Sequence, residues 1–167
     1  FCPQKKRRRK LFKVGEKIVY PMHGAGEIEA IEERIIDEKA IEYYRVKIYS
    51  GNITLMVPVN NTSGVQLRPV VSKAEARRII EGFDCMKEAP DIPWNKRYKE
   101  NVDKLKMGTV DSVADVLSGL IQREKNHGLS TSDRKMFILT KSILCSELNA
   151  ALETDTSEIF EEILSKF

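Results

Sequence analysis

Residues 40–58 read Ala40-Ile41-Glu42-Tyr43-Tyr44-Arg45-Val46-Lys47-Ile48-Tyr49-Ser50-Gly51-Asn52-Ile53-Thr54-Leu55-Met56-Val57-Pro58. Tyr44, Val46 and Ile48 alternate with Arg45, Lys47 and Tyr49, the period-two pattern of a strand with one apolar face. Ser50-Gly51-Asn52 separates two β-rich runs and fits a hairpin turn. The same composition extends outward from this hairpin, with strands expected over residues 17–20, 26–36, 40–49, 53–58 and 65–68. Asp37-Glu38-Lys39 is a second, more polar turn. Five short strands with tight turns predict a small, strongly bent sheet or barrel, because an open sheet of this size leaves edges to protect. Pro58 suits an edge strand, and equally an interior strand that simply stops there.

The pattern changes near Val71. Ser72 followed by Glu75 has capping-box spacing and opens a helix over 73–83. Lys87-Glu88-Ala89-Pro90-Asp91-Ile92-Pro93 is a polar linker with two prolines. A second helix is expected from Trp94 or Asn95 to Met107, where Gly108 ends it. Val113, Val116, Leu117, Leu120 and Ile121 recur at helical spacing within a helix over 110–126, and Gly128 terminates it. Ser130 with Asp133 opens another helix, whose apolar face takes in Met136, Leu139, Ile143 and Leu144. A last helix over 157–166 carries Ile159, Phe160, Ile163 and Leu164. The chain therefore reads as a β module followed by an all-α module, α+β with the two kinds of element segregated.

Composition narrows the function. Of 167 residues, 41% are hydrophobic and 32% charged, which suits a folded protein rather than a disordered one. The longest apolar runs, such as Met136-Phe137-Ile138-Leu139, are far too short to span a bilayer. Cys2, Cys85 and Cys145 lie far apart and give neither a CxxC pair nor an even disulfide framework, as expected in a reducing cytoplasm. The net charge of +3 misleads, since Lys5, Lys6, Arg7, Arg8, Arg9 and Lys10 supply six cations. From Phe12 onward 22 basic residues face 25 acidic ones, so any DNA contact must come from a local patch. Residues 1–11 read as a basic extension, disordered or left by cloning. A nucleic-acid arm and a nuclear-localisation-like signal stay open beside that reading.

Catalytic signals are weak. His127 sits between Asn126 and Gly128 at a helix end, where the dipole favours a cation. His23 lies in the turn Tyr20-Pro21-Met22-His23-Gly24-Ala25-Gly26, and no spacing proposes a nucleophile–base pair. Two histidines and three scattered cysteines give no zinc pattern. Gly24-Ala25-Gly26 leads into a strand and lacks the third glycine of a dinucleotide site. A non-enzymatic binding protein without cofactor or metal is expected. Trp94 is the one tryptophan. It follows Pro93 and precedes Asn95-Lys96-Arg97-Tyr98-Lys99, and the stretch from Trp94 to Lys106 holds five basic and two acidic residues. A lone tryptophan is more often a packing residue, but this position favours an exposed ring. Such a ring can stack on an unpaired base or wedge into a base step while cations hold phosphates.

Phe12-Lys13-Val14-Gly15-Glu16-Lys17-Ile18-Val19-Tyr20-Pro21, then His23-Gly24 and Gly26-Glu27-Ile28, closely resemble the opening of CarD/CdnL-family bacterial transcription regulators. A similar opening occurs in the RNA-polymerase-interacting domain of transcription-repair coupling factor. The second half resembles the CarD/CdnL family alone, through Trp94-Asn95-Lys96-Arg97-Tyr98-Lys99-Glu100-Asn101 and Gly128-Leu129-Ser130. The resemblance implies a five-stranded Tudor/SH3-like module over 12–71 that docks on the RNA polymerase β subunit, with Arg34, Ile53 and Met56 at that contact. Met56 stands where some members carry a second arginine, so an ion-pair contact does not transfer to it. It further implies a helical DNA-binding domain over 72–167. There Trp94 would wedge into the minor groove at the upstream edge of the transcription bubble, and Lys96, Arg97 and Lys99 would touch the backbone. The expected function is stabilisation of the open promoter complex by a cytoplasmic protein associated with the nucleoid through polymerase, with no membrane or small-molecule partner. The alternative is a polymerase-binding adaptor whose helical domain recruits another protein, with Trp94 as its anchor.

Overall fold

The computed structural model describes residues 12–60, 67–86, 90–154 and 157–167. The basic extension, Val65 and Gln66 of the fifth expected strand, and part of the proline-containing linker lie outside those residues. Strands β1 (Lys17–Tyr20), β2 (Gly24–Ile36), β3 (Lys39–Ile48), β4 (Thr54–Pro58) and β5 (Arg68–Pro69) form one antiparallel sheet in the order β4-β3-β2-β1-β5. This arrangement fits a Tudor-like module. Ile18, Ile28, Tyr44, Val46, Ile48 and Val57 point to one face and, with Phe12, form its core. The alternation in residues 44–49 thus fixes which face is buried.

Several boundaries differ from the sequence expectation: β3 runs Lys39–Ile48 rather than over 40–49, the first helix ends at Gly82 and the last spans Glu158–Leu164. β2 starts at Gly24, because Gly24 and Ala25 pair with Tyr20 and Val19 across the turn. Ile53 precedes β4, although its carbonyl still accepts the Ile48 N–H at 2.8 Å. β5 is a two-residue bridge to Val19 and Ile18, ended by a proline that has no N–H to donate.

The helical half comprises α1 (Lys73–Gly82), α2 (Trp94–Met107), α3 (Val110–Asn126), α4 (Thr131–Leu152) and α5 (Glu158–Leu164), with a 3₁₀ turn over Phe83–Cys85 after α1. The caps follow the side chains read from sequence. Ser72 Oγ accepts the Glu75 N–H, and Ser130 Oγ accepts the Asp133 N–H. A second core gathers Ile79, Ile80, Phe83, Leu117, Leu144 and Ile163 around α4. Leu139 was expected on the apolar face of α4 but is exposed, and Thr140 takes the buried position instead. The buried stripe runs Met136, Thr140, Ile143, Leu144, Glu147, Leu148 and Ala151 at three- and four-residue steps, and Leu139 stands off it.

The two halves meet where the turn after β1 packs on α4. Ala25 N–H donates to Ser146 Oγ at 3.0 Å, and Lys17 Nζ donates to the Ala150 carbonyl at 3.2 Å. Gly24 has φ +97°, and a Cβ there would stand 2.6 Å from Ser146 Oγ and 3.3 Å from Ile143 Cα. Only glycine combines that backbone conformation with so close an approach. Gly24→Ala should therefore lower unfolding free energy by about 1–3 kcal/mol, read as an earlier urea midpoint. An unchanged midpoint would mean the turn and α4 are not in contact.

Candidate binding surfaces

Pro93 ends the linker and serves as the N-cap of α2, a position that asks for no N–H from proline. Trp94 is therefore the first helical residue, and it is 66% exposed. Tyr98, one turn on, is exposed beside it, so an aromatic pair stands at the open end of the helix. Lys96 and Lys99 are exposed, and neither enters an ion pair among the described residues. Both are free to meet an anion.

Arg97 is different. Its side chain is only 11% exposed and lies 3.2 Å from the Asp133 carboxylate, while Nη1 donates to the Ile92 carbonyl at 3.3 Å. Asp133 is itself buried, accepts the Ser130 hydroxyl at 2.9 Å and has Arg123 at 3.7 Å. Arg97 thus ties the linker and α2 to the start of α4, so its guanidinium is already engaged within the protein. Lys104, further along α2, is likewise engaged by Asp115 on α3. Sequence spacing missed Arg97's role because its partner stands 36 residues away. Tyr98 was also missed, although its i,i+4 spacing from Trp94 was a usable signal.

The sheet presents the other surface. Among the described residues β4 pairs only with β3, which makes residues 54–58 an edge strand. Register places Met56 opposite Arg45 and Arg34 opposite Ile41, on the face turned away from Tyr44 and Val46. Along that face runs a charge ladder: Glu29 lies 3.4 Å from Arg45, Arg45 lies 2.6 Å from Glu32, and Glu32 lies 3.8 Å from Arg34. These exposed pairs contribute little stability, so their partners are available to exchange. Ile53 is exposed beside the Ser50-Gly51-Asn52 turn, whereas Arg34 lies beyond the far end of β4. The three residues are therefore spread from the β4 edge across β3 to β2 rather than gathered at a point. Arg45 and its two glutamates belong to the same face and were not singled out from sequence.

Among the described residues neither histidine has a hydrogen bond to a Ser, Thr or Cys side chain. His23 meets the Tyr20 ring edge-on at 5.2 Å, and His127 caps α3. Cys145 lines a groove of about 670 Å³ between the sheet and α4. Burial pushes its thiol up to about 11, which makes it a poor nucleophile at neutral pH. Among the described residues no group of three or more His, Cys, Asp or Glu is placed to hold a metal ion. No helix among them is long and apolar enough to cross a membrane.

The contrast between the two cations of α2 is measurable. Arg97→Ala should cost about 1.5–3 kcal/mol of stability, the loss expected for a buried charge-assisted hydrogen bond. Lys99→Ala should stay within about 0.5 kcal/mol of the parent. Equal urea midpoints for the two variants would return Arg97 to the exposed set.

Comparison with known proteins agrees with this geometry. Residues 12–71 match the CarD-like/TRCF RID domain family, and residues 78–164 match the CarD C-terminal domain family. A Bacillus subtilis (strain 168) protein named "Putative transcription factor YdeB" is 37% identical over 138 residues, which cover 83% of this chain and 90% of the relative. Sheet, helices and both domain matches fall in the same order along the sequence, and the chain belongs to the CarD family of transcription factors.

Proposed function

We propose that this chain docks on the β subunit of RNA polymerase through the outer edge of its sheet and stabilises the open promoter complex with Trp94. One observation carries the reading: an exposed tryptophan heads a helix whose neighbouring Lys96 and Lys99 enter no ion pair among the described residues. The match of residues 12–71 to a family that includes the polymerase-interacting domain of the coupling factor supports the docking half. Charge supports the division of labour. A body with a net charge of −3 from Phe12 onward has little electrostatic affinity for free duplex. Docking on polymerase raises the local concentration of the helical half to ~mM, so a small patch suffices. Two lysines then neutralise phosphates while the ring stacks at the melted edge, where most of the unstacking cost has already been met. Recognition is of an open shape rather than a base sequence.

The Trp94–Tyr98 pair also suits a protein partner, since exposed aromatics anchor interfaces. Open-complex half-life on one promoter, at saturating protein, separates the readings. Stacking worth ~1–3 kcal/mol predicts a roughly tenfold to hundredfold shorter half-life for Trp94→Ala, with polymerase affinity unchanged. Arg34→Glu, at the other surface, should weaken polymerase binding itself. Equal half-lives for the parent and Trp94→Ala would remove the wedge and leave the adaptor.

A further inference from the structure

Arg68 joins the sheet to the C-terminal end of the helix that begins with Trp94. It sits in β5, and its guanidinium reaches the ends or faces of two helices as well as its own strand. Nε donates to the Gly108 carbonyl, at the C-terminal end of α2, at 2.6 Å. Nη1 and Nη2 donate to the two carboxylate oxygens of Glu147 on α4, at 2.5 and 2.7 Å. Nη1 also donates to the Pro69 carbonyl at 3.2 Å. Glu147 is only 1% exposed and in addition accepts the Val71 N–H at 3.3 Å, which pins the peptide joining the two halves. Gly108, with φ +70°, lies against Pro21 so closely that a Cβ would stand 2.9 Å from its Cγ. The C-terminal end of α2 is therefore gripped from the sheet side by Arg68 and Pro21.

The far end of α2 carries Trp94. Fourteen residues of helix make a lever of roughly 20 Å. A tilt of about 10° at Gly108 would swing the ring by about 3–4 Å, roughly one base step along DNA. Stacking does not tolerate such an error. Among the described residues, the other hydrogen bonds between the halves, from Ala25 to Ser146 and from Lys17 to Ala150, end on α4 rather than α2.

We propose that Arg68 is a positioning residue: with Glu147 it sets the angle of α2 to the sheet, so that a sheet docked on polymerase aims Trp94 at the edge of the bubble. The inference rests on the function proposed above. Lysine at 68 keeps a positive charge opposite the buried carboxylate but cannot reach both Glu147 and Gly108, because it lacks the planar fork. Arg68→Lys therefore tests position rather than charge. Glu147→Gln, which keeps shape and acceptor oxygen, is the second variant.

Each variant is combined with Trp94→Ala, and polymerase affinity, urea midpoint and open-complex half-life are measured. Arg68→Lys should hold polymerase affinity within about twofold and shorten the half-life about tenfold. Adding Trp94→Ala to it should shorten the half-life less than about threefold more, because a misaimed ring has little left to lose. Glu147→Gln should follow the same pattern. A half-life equal to the parent's in Arg68→Lys, or losses that multiply when the substitutions are combined, would overturn the positioning role. So would a polymerase affinity that falls in step with half-life, which marks a merely structural residue. If Trp94→Ala alone leaves the parent's half-life unchanged, the wedge reading falls, and the positioning role with it. If Trp94→Ala shortens the half-life and Arg68→Lys does not, the positioning role falls alone.

Discussion

A carboxylate buried at the meeting point of sheet and helices governs this structure. Glu147 projects from the buried stripe of α4, where most other positions are apolar. An unpaired carboxylate there would cost several kcal/mol. The cost is offset only when Arg68 presents its fork and Val71 its N–H, so the fold is complete only with β5, the joining peptide and α4 in register. Such a pair is a weak source of net stability compared with apolar packing. Its effect here is geometric. Arg68, once committed to Glu147, has one remaining direction for Nε, and the end of α2 occupies it.

The β1–β2 turn complements that joint. Tyr20-Pro21-Met22-His23-Gly24 lies within the opening stretch by which the chain resembles its family, and in three dimensions it is a contact surface. Pro21 meets Gly108, Met22 packs on the helical core, and Gly24 lies against α4. The segregation of strands and helices along the sequence therefore does not leave two independent bodies. Two cores exist, but a polar joint and a close-packed turn connect them.

How much of this was legible in sequence depends on whether the signal is local. The alternation of Tyr44, Val46 and Ile48 identified the buried face, and Ser72 with Glu75 and Ser130 with Asp133 located helix starts, because those interactions span only a few residues. Trp94 was placed at an exposed helix start because Pro93 dictates where α2 begins. Long-range polar pairing was not legible. Arg97 looked like its neighbours Lys96 and Lys99, and only Asp133 on a distant helix distinguishes it. Nothing local in the sequence announces Glu147 as a buried acid. The described part of β5, Arg68–Pro69, is too short to carry a periodicity of its own. Met56 and Arg34 fell on one face through sheet register, which also brought in Arg45, Glu29 and Glu32.

The central claim is that sheet and helices move as one body, with Arg68 and Glu147 as the joint. It is tested most directly by a distance distribution between spin labels at Lys47→Cys on β3 and Lys99→Cys on α2, with Cys2, Cys85 and Cys145 replaced by serine. Both label sites are exposed, and they lie on opposite sides of the joint. A buried ion pair is screened far less than a surface one, so a single narrow distribution, unchanged between low and high salt, is predicted. A broad or multiple distribution in the otherwise unaltered protein would contradict the account.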